Sequence, residues 1–109
     1  MASSRDFLEF VLEQLSSLSD ITYRAMMGEF ILYYKGKIVG GIYDNRLLIK
    51  PSPSALRMLP DAPMETPYDG GTNMLMVEDV EDRDLLIRLF NAMYPELPEP
   101  TKKKKQNVR

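Results

Sequence analysis

Five carboxylates fall within seven residues: Glu78, Asp79, Glu81, Asp82 and Asp84. A hard cation is the chemistry such a run could support. The spacing does not match an EF-hand loop, which needs alternating oxygen ligands, a central Gly and a Glu at position 12. It suits a helix start better, where carboxylates favour the positive end of the macrodipole. Asp69-Gly70-Gly71-Thr72 is glycine-rich, but no G-K-[ST] follows, so it reads as a turn and not as a phosphate cradle. Lys102, Lys103, Lys104 and Lys105 could meet nucleic acid or anionic lipid. With no aromatic residues among them, they read first as a solvated tail.

What is missing bounds the chemistry further. The chain has no cysteine and no histidine. Disulfides, thiolate metal sites, a cysteine nucleophile and Ser–His catalysis are therefore excluded. Neutral imidazole, the commonest metal ligand and general base, is excluded with them. We expect no enzyme activity, no cofactor and no metal. The route left open to an enzyme is a carboxylate pair, and the sequence does not place one.

Arg24-Ala25-Met26-Met27-Gly28 sets a cation, two soft apolar side chains and a glycine at one strand end. By itself this is a strand running into a bulge or turn. Of the eight methionines, Met26-Met27 and Met74 with Met76 could form an adaptable contact surface, with core filling as the default reading.

Such residues need elements to hold them. The 109 residues suffice for one domain with one core. Ser3 and Asp6 have the spacing of a helix N-terminus. Phe7, Leu8, Val11, Leu12, Leu15 and Leu18 then form a helical stripe, predicting a helix over 4–18. Strands follow at 22–26, 29–35, 38–43 and 46–50, punctuated by Gly28, Gly36 and the hairpin pair Asp44-Asn45. Ser52-Pro53 caps a short helix over 54–59. An edge strand at 64–68 and a strand at 72–78 come next. A helix then opens at Asp79 and Asp82, and Tyr94-Pro95 stops it. The order α-β-β-β-(β)-α-β-β-α predicts an α+β domain, an antiparallel sheet with helices packed on one face. Residues 1–96 form the domain. Residues 97–109 read as a disordered Pro/Lys-rich tail without apolar residues to bury.

The net charge of −2 hides an asymmetry. Residues 102–109 carry +5; the rest has nine basic and sixteen acidic groups, a net of −7. An acidic body is a poor match for a phosphate backbone. No stretch approaches the roughly 18 apolar residues of a membrane span, and no signal peptide is visible. We expect a cytoplasmic protein without membrane contact. The strand at 29–35 is apolar on both faces, Phe30, Leu32 and Tyr34 against Ile31 and Tyr33. A sheet with one wet face alternates more cleanly, so a homodimer through the second face is expected.

The same segments resemble the N-terminal domain of the TfoX/Sxy competence regulators. Phe7 to Leu15 (FLEFVLEQL) looks like that family's opening helix. Arg24 to Phe30 resembles its R-x-M-F-G-G-Y/F segment. Leu32-Tyr33 through Gly36 and Ile38 resembles its L-Y-x-x-G-x-x-F run. Asp44 to Lys50 (DNRLLIK) is close to its D-x-x-L-Y-L-K strand. Pro67-Tyr68 with Met74 to Val77 resembles its P-x-Y…M strand. The match covers about residues 5–94. Met27 departs from a usual Phe and Glu29 from a usual Gly. Full-length regulators carry a second, C-terminal domain where this chain has its lysine tail. The resemblance implies a secretion-chaperone-like α+β fold, often dimeric, with no catalytic residue. It implies a stand-alone, non-enzymatic protein-interaction module. Its candidate partner-binding residues are Arg24, Met26, Met27, Gly28, Tyr33, Lys50 and Tyr68. The alternatives are a nucleic-acid-binding accessory protein using the tail, and a small ligand-binding domain.

Overall fold

A computed structural model describes residues 4–67 and 71–98. Tyr68, the turn at 69–70 and Lys102 to Lys105 lie outside the described residues. Helix α1 spans Arg5–Gln14. Its cap is Ser4, one residue beyond the expected Ser3. The Ser4 hydroxyl accepts a hydrogen bond from the Phe7 N–H at 3.1 Å. The helix ends at Gln14, short of the expected 18, and single turns replace it, with the Leu18 N–H donating to the Leu15 carbonyl. Ser16-Ser17 and Ser19, which compete with the backbone for hydrogen bonds, explain the early stop. Leu15 is nonetheless fully buried, because a turn presents it on the same face.

A four-strand meander follows: β1 (Ile21–Met26), β2 (Glu29–Tyr34), β3 (Lys37–Tyr43) and β4 (Arg46–Ile49). Its three hairpin turns, Met27-Gly28, Lys35-Gly36 and Asp44-Asn45, each hold two residues at positive φ. That is the backbone of the tight hairpin turns whose twist suits paired strands. Helix α2 (Pro53–Met58) starts as expected, with Ser52 as cap and Pro53 at its first position. The chain continues through β5 (Met64–Glu65), β6 (Met74–Val77) and α3 (Arg83–Met93), then a 3-10 turn at Tyr94–Glu96. Asp82 caps α3, its carboxylate accepting from the Leu85 N–H at 3.0 Å. The acidic run thus serves a helix start.

The six strands form one antiparallel sheet in the order β1-β2-β3-β4-β6-β5. Phe30, Leu32, Tyr34, Leu47, Ile49, Leu75 and Val77 share one core with Leu8, Val11 and Leu15 from the α1 segment and Leu86, Leu89, Phe90 and Met93 from α3. Each such side chain, fully buried, contributes about 1.5–3 kcal/mol against exposure. Leu97, placed in the tail by the sequence reading, is buried in this core. The 3-10 turn folds it back, so the packed body passes the expected boundary at 96. The other sheet face carries a smaller cluster of Tyr43, Leu48 and Met74, with Met76 packed against it. Ile31, Tyr33 and Ile38 on that face lie outside this cluster and stay partly exposed. Among the described residues, no helix is long and apolar enough to cross a membrane.

Candidate functional site

Register decides which side chains share the face away from the helices. Arg24 pairs with Ile31, Ile31 with Gly41, and Gly41 with Leu48, which pairs with Met76. Directly paired residues point to the same side, so this row lies on the second face. Thr22, Tyr33 and Ile38 form the neighbouring row. Between Leu32 and Tyr33 the register slips by one, leaving Val39 as an extra residue in β3. The bulge is in β3, not beside Gly28, where a plain turn stands.

Two adjoining open clefts cross this face. One, of about 490 Å³, lies under the β1–β2 turn and is lined by Met26, Met27, Glu29, Ile31, Tyr43 and Pro67. The other, of about 410 Å³, runs on past Ile31, Ile38 and Tyr43 to Lys50, Met74 and Leu97. Tyr43 lines both clefts, and its ring lies close against Gly41. A Cβ there would sit 2.7 Å from Cε2 and 2.9 Å from Cζ of Tyr43. It would also sit 2.6 Å from the Phe30 carbonyl oxygen, so only glycine leaves room for the Tyr43 ring at this place.

Of the residues the sequence singled out, Met26, Met27 and Lys50 come together at these clefts. Tyr33 is half-buried on the same face, and Arg24 is exposed in the edge strand. Gly28 lines neither cleft; it closes the turn with φ 86°. Sequence reasoning missed Ile31, Tyr43 and Pro67. The parity of Ile31 against Phe30 and Leu32 was the available signal for the first of them. Lys50 makes no ion pair or side-chain hydrogen bond among the described residues, and neither does Arg24. Arg46, on the same face, is held by Glu65 at 3.0 Å. Glu29 fastens the tip, its carboxylate accepting from the Asp44 N–H at 3.1 Å.

Met27 is the unusual residue of this surface. Its φ is 53° and its side chain is 95% exposed. A non-glycine residue in the left-handed region costs about 1 kcal/mol, and Asn or Gly is the usual occupant of such a turn. Met27 gains nothing from burial within the chain to offset this.

Glu96 borders the second cleft and ties the segment after α3 to α2. Its carboxylate accepts from the Ser54 hydroxyl at 2.6 Å and the Ser54 N–H at 2.9 Å. The Ser54 hydroxyl bond, then its N–H, hold the Glu96 carboxyl below the usual range against a smaller opposing effect of burial; Ser52 and Arg57 add to the lowering. A carboxyl depressed in the folded state contributes stability that is present above its unfolded pKa. That stability is lost as pH falls below the ordinary glutamate value of 4.5 through the lower folded value. Acid unfolding followed by circular dichroism should show Glu96→Gln with a flatter pH dependence in that window than the parent protein.

Among the described residues, no group of three or more acids is placed to hold a metal ion. The surface offers soft apolar walls, the Tyr43 ring and one cation, Lys50, with no ion pair among the described residues. Such an arrangement can hold apolar side chains of another protein.

The family model described as the TfoX N-terminal domain matches residues 13–92, from the last turn of α1 to the end of α3. A relative from Spirochaeta aurantia, an uncharacterized 12.7 kDa protein in the trpE 5′ region, is 31% identical. That alignment runs over 109 residues, covering 95% of this chain and 93% of the relative.

Proposed function

Because the chain belongs to the TfoX N-terminal domain family, we propose that it is a non-enzymatic protein-interaction module of the kind found in competence and transcription regulators. Its contact surface is the β1–β2 turn and the clefts behind it. The observation that carries the reading is Met27, a large apolar side chain held in solvent on a strained backbone. The hairpin needs the backbone conformation but not this side chain, and a large apolar group kept in solvent where Asn or Gly would close the turn without strain points to a role in binding. Met26, 41% exposed, and Lys50, without an ion pair among the described residues, extend the surface. The homodimer is part of the proposal. Two copies meet through the half-buried row of Tyr33 and Ile38, at the far end of the same face.

Met27→Asn separates binding from folding. Asparagine suits the left-handed turn, so the variant should be more stable by up to about 1 kcal/mol in urea titration. It should also lose its partner. A photocrosslinking residue at position 27 in cells should give discrete protein adducts, identified by mass spectrometry. The same residue at Arg88, exposed on α3, should not. Placed at Tyr33, it should give a band at twice the 12.5 kDa chain mass. Identical adducts from positions 27 and 88 would remove the reading, and a Tyr33 position that never links two copies would remove the dimer.

A further inference from the structure

The sheet has two unlike edges. β5 is two residues long, between Pro63 and Pro67, which blunts it. β1 is six residues long, pairs with β2 without interruption and, among the described residues, has no strand on its other side. It contains no proline and no bulge, and all but Ile21 is exposed. An edge of this kind presents unpaired N–H and C=O groups to any extended chain. Beside it, on the helix side, lies an open cleft of about 470 Å³ walled by Leu12, Leu15, Leu18, Ile21 and Tyr23. On the other face stands Arg24, without an ion pair among the described residues and the one charged side chain of the strand.

We propose that the outer edge of β1 receives an extended segment of a partner protein as a seventh strand, one whose apolar and acidic residues alternate. Successive side chains of a strand point to opposite faces. An apolar side chain then enters the cleft beside α1 while its neighbour sets a carboxylate on Arg24. Main-chain bonds supply the pairing and the two faces supply the selectivity.

Charge decides against a second copy at this edge. Opposed residues must share a face, so a two-fold axis between antiparallel β1 strands passes through Tyr23 or Arg24 if most of the strand is to pair. An axis at Arg24 sets that residue opposite itself. An axis at Tyr23 leaves the two Arg24 side chains diagonal neighbours, about 7–8 Å apart. β1 holds no acid to separate them. The nearest in sequence, Asp20, has left the strand with φ 63°, its carbonyl bonded to the Lys35 N–H, and Glu29, diagonal to Arg24 on β2, accepts from the Asp44 N–H.

This inference rests on the reading that the chain acts through protein contacts, but it uses the outer edge of β1 and Arg24, which lines neither cleft behind Met27. The test is fluorescence anisotropy with the full chain and two labelled octapeptides, one alternating valine and glutamate, the other valine and lysine. The glutamate peptide should bind saturably and the lysine peptide should not. Arg24→Glu, an exposed change that leaves folding intact, should weaken the first by about fivefold or more and favour the second. Methylating alternate backbone nitrogens of the glutamate peptide should remove binding, because it removes the donors and leaves the protein untouched. No binding, equal binding of both peptides, indifference to Arg24→Glu, or binding that survives methylation would each overturn the proposal. Crosslinking from position 27 reads the other surface, so its success or failure is independent of this result.

Discussion

Gly40→Ala should lower stability by about 3 kcal/mol or more, and Gly40→Val should leave little folded protein. The reason is space and not backbone freedom. Gly40 follows the extra residue Val39 in β3, and the bulge aims its missing Cβ at the next strand. A Cβ there would collide with the Leu48 carbonyl oxygen and lie 2.8 Å from the Ile49 Cα. Both are main-chain atoms of β4, paired on one side with β3 and on the other with β6. No rotamer change relieves the clash; the ladder itself must open. Small domains have about 5–15 kcal/mol of stability in all, and 1 kcal/mol moves the melting temperature of a domain this size by about 4–8 °C. Gly36→Ala is the control. Gly36 sits exposed in a turn at φ 86°, so its cost is backbone strain of about 1 kcal/mol. Calorimetry on the pair decides the matter. A Gly40→Ala variant melting as high as Gly36→Ala would show that β3 and β4 can separate cheaply.

That glycine also marks where the sequence stopped being informative. Local signals carried the element order. Ser52-Pro53 opened α2, Asp44-Asn45 closed a hairpin, and Asp82 capped α3, because each acts through backbone atoms within three residues of itself. The bulge at Val39 has no such signature. It exists because β2 and β3 must pair around it, and pairing is non-local. The end of α1 was misread for a related reason. Leu15 and Leu18 continue the apolar stripe, and a stripe records which face is buried without recording whether the backbone is helical. Leu97 was assigned to the tail because its neighbours are prolines and acids, yet one 3-10 turn returns it to the core. The candidate surface was half legible. Met26 and Met27 drew attention by composition. Ile31, Tyr43 and Pro67 join them from three separate segments, and only the register brings these together.

Phe90→Ala tests how the two faces of the sheet divide their work. Phe90 is fully buried on α3 and packs against Tyr34 with ring centroids 6.3 Å apart. Tyr34 is also held by polar contacts. Its hydroxyl donates to Asn91 Oδ1 at 2.6 Å, and its ring meets Tyr94 edge-on at 5.5 Å. The Lys37 ammonium sits 4.3 Å from the centre of the Tyr94 ring and donates to the Tyr94 carbonyl at 3.3 Å. Either the apolar contact or the polar network could be what fixes α3 to the sheet, and magnitudes separate them. Truncating a buried Phe to Ala costs about 3–5 kcal/mol through lost transfer energy and the cavity left behind. A partly buried hydrogen bond contributes about 1 kcal/mol net, because water replaces it on unfolding. Phe90→Ala should therefore cost several times what Tyr34→Phe costs in urea titration. Both changes lie on the helix side, away from the Met27 turn. At temperatures where the variants remain folded, crosslinking from position 27 should proceed as in the parent protein. The opposite order, with Tyr34→Phe the more damaging, would mean that the polar anchor holds α3. Loss of crosslinking in folded Phe90→Ala would mean that the contact surface depends on the core beneath it and is not carried by the turn alone.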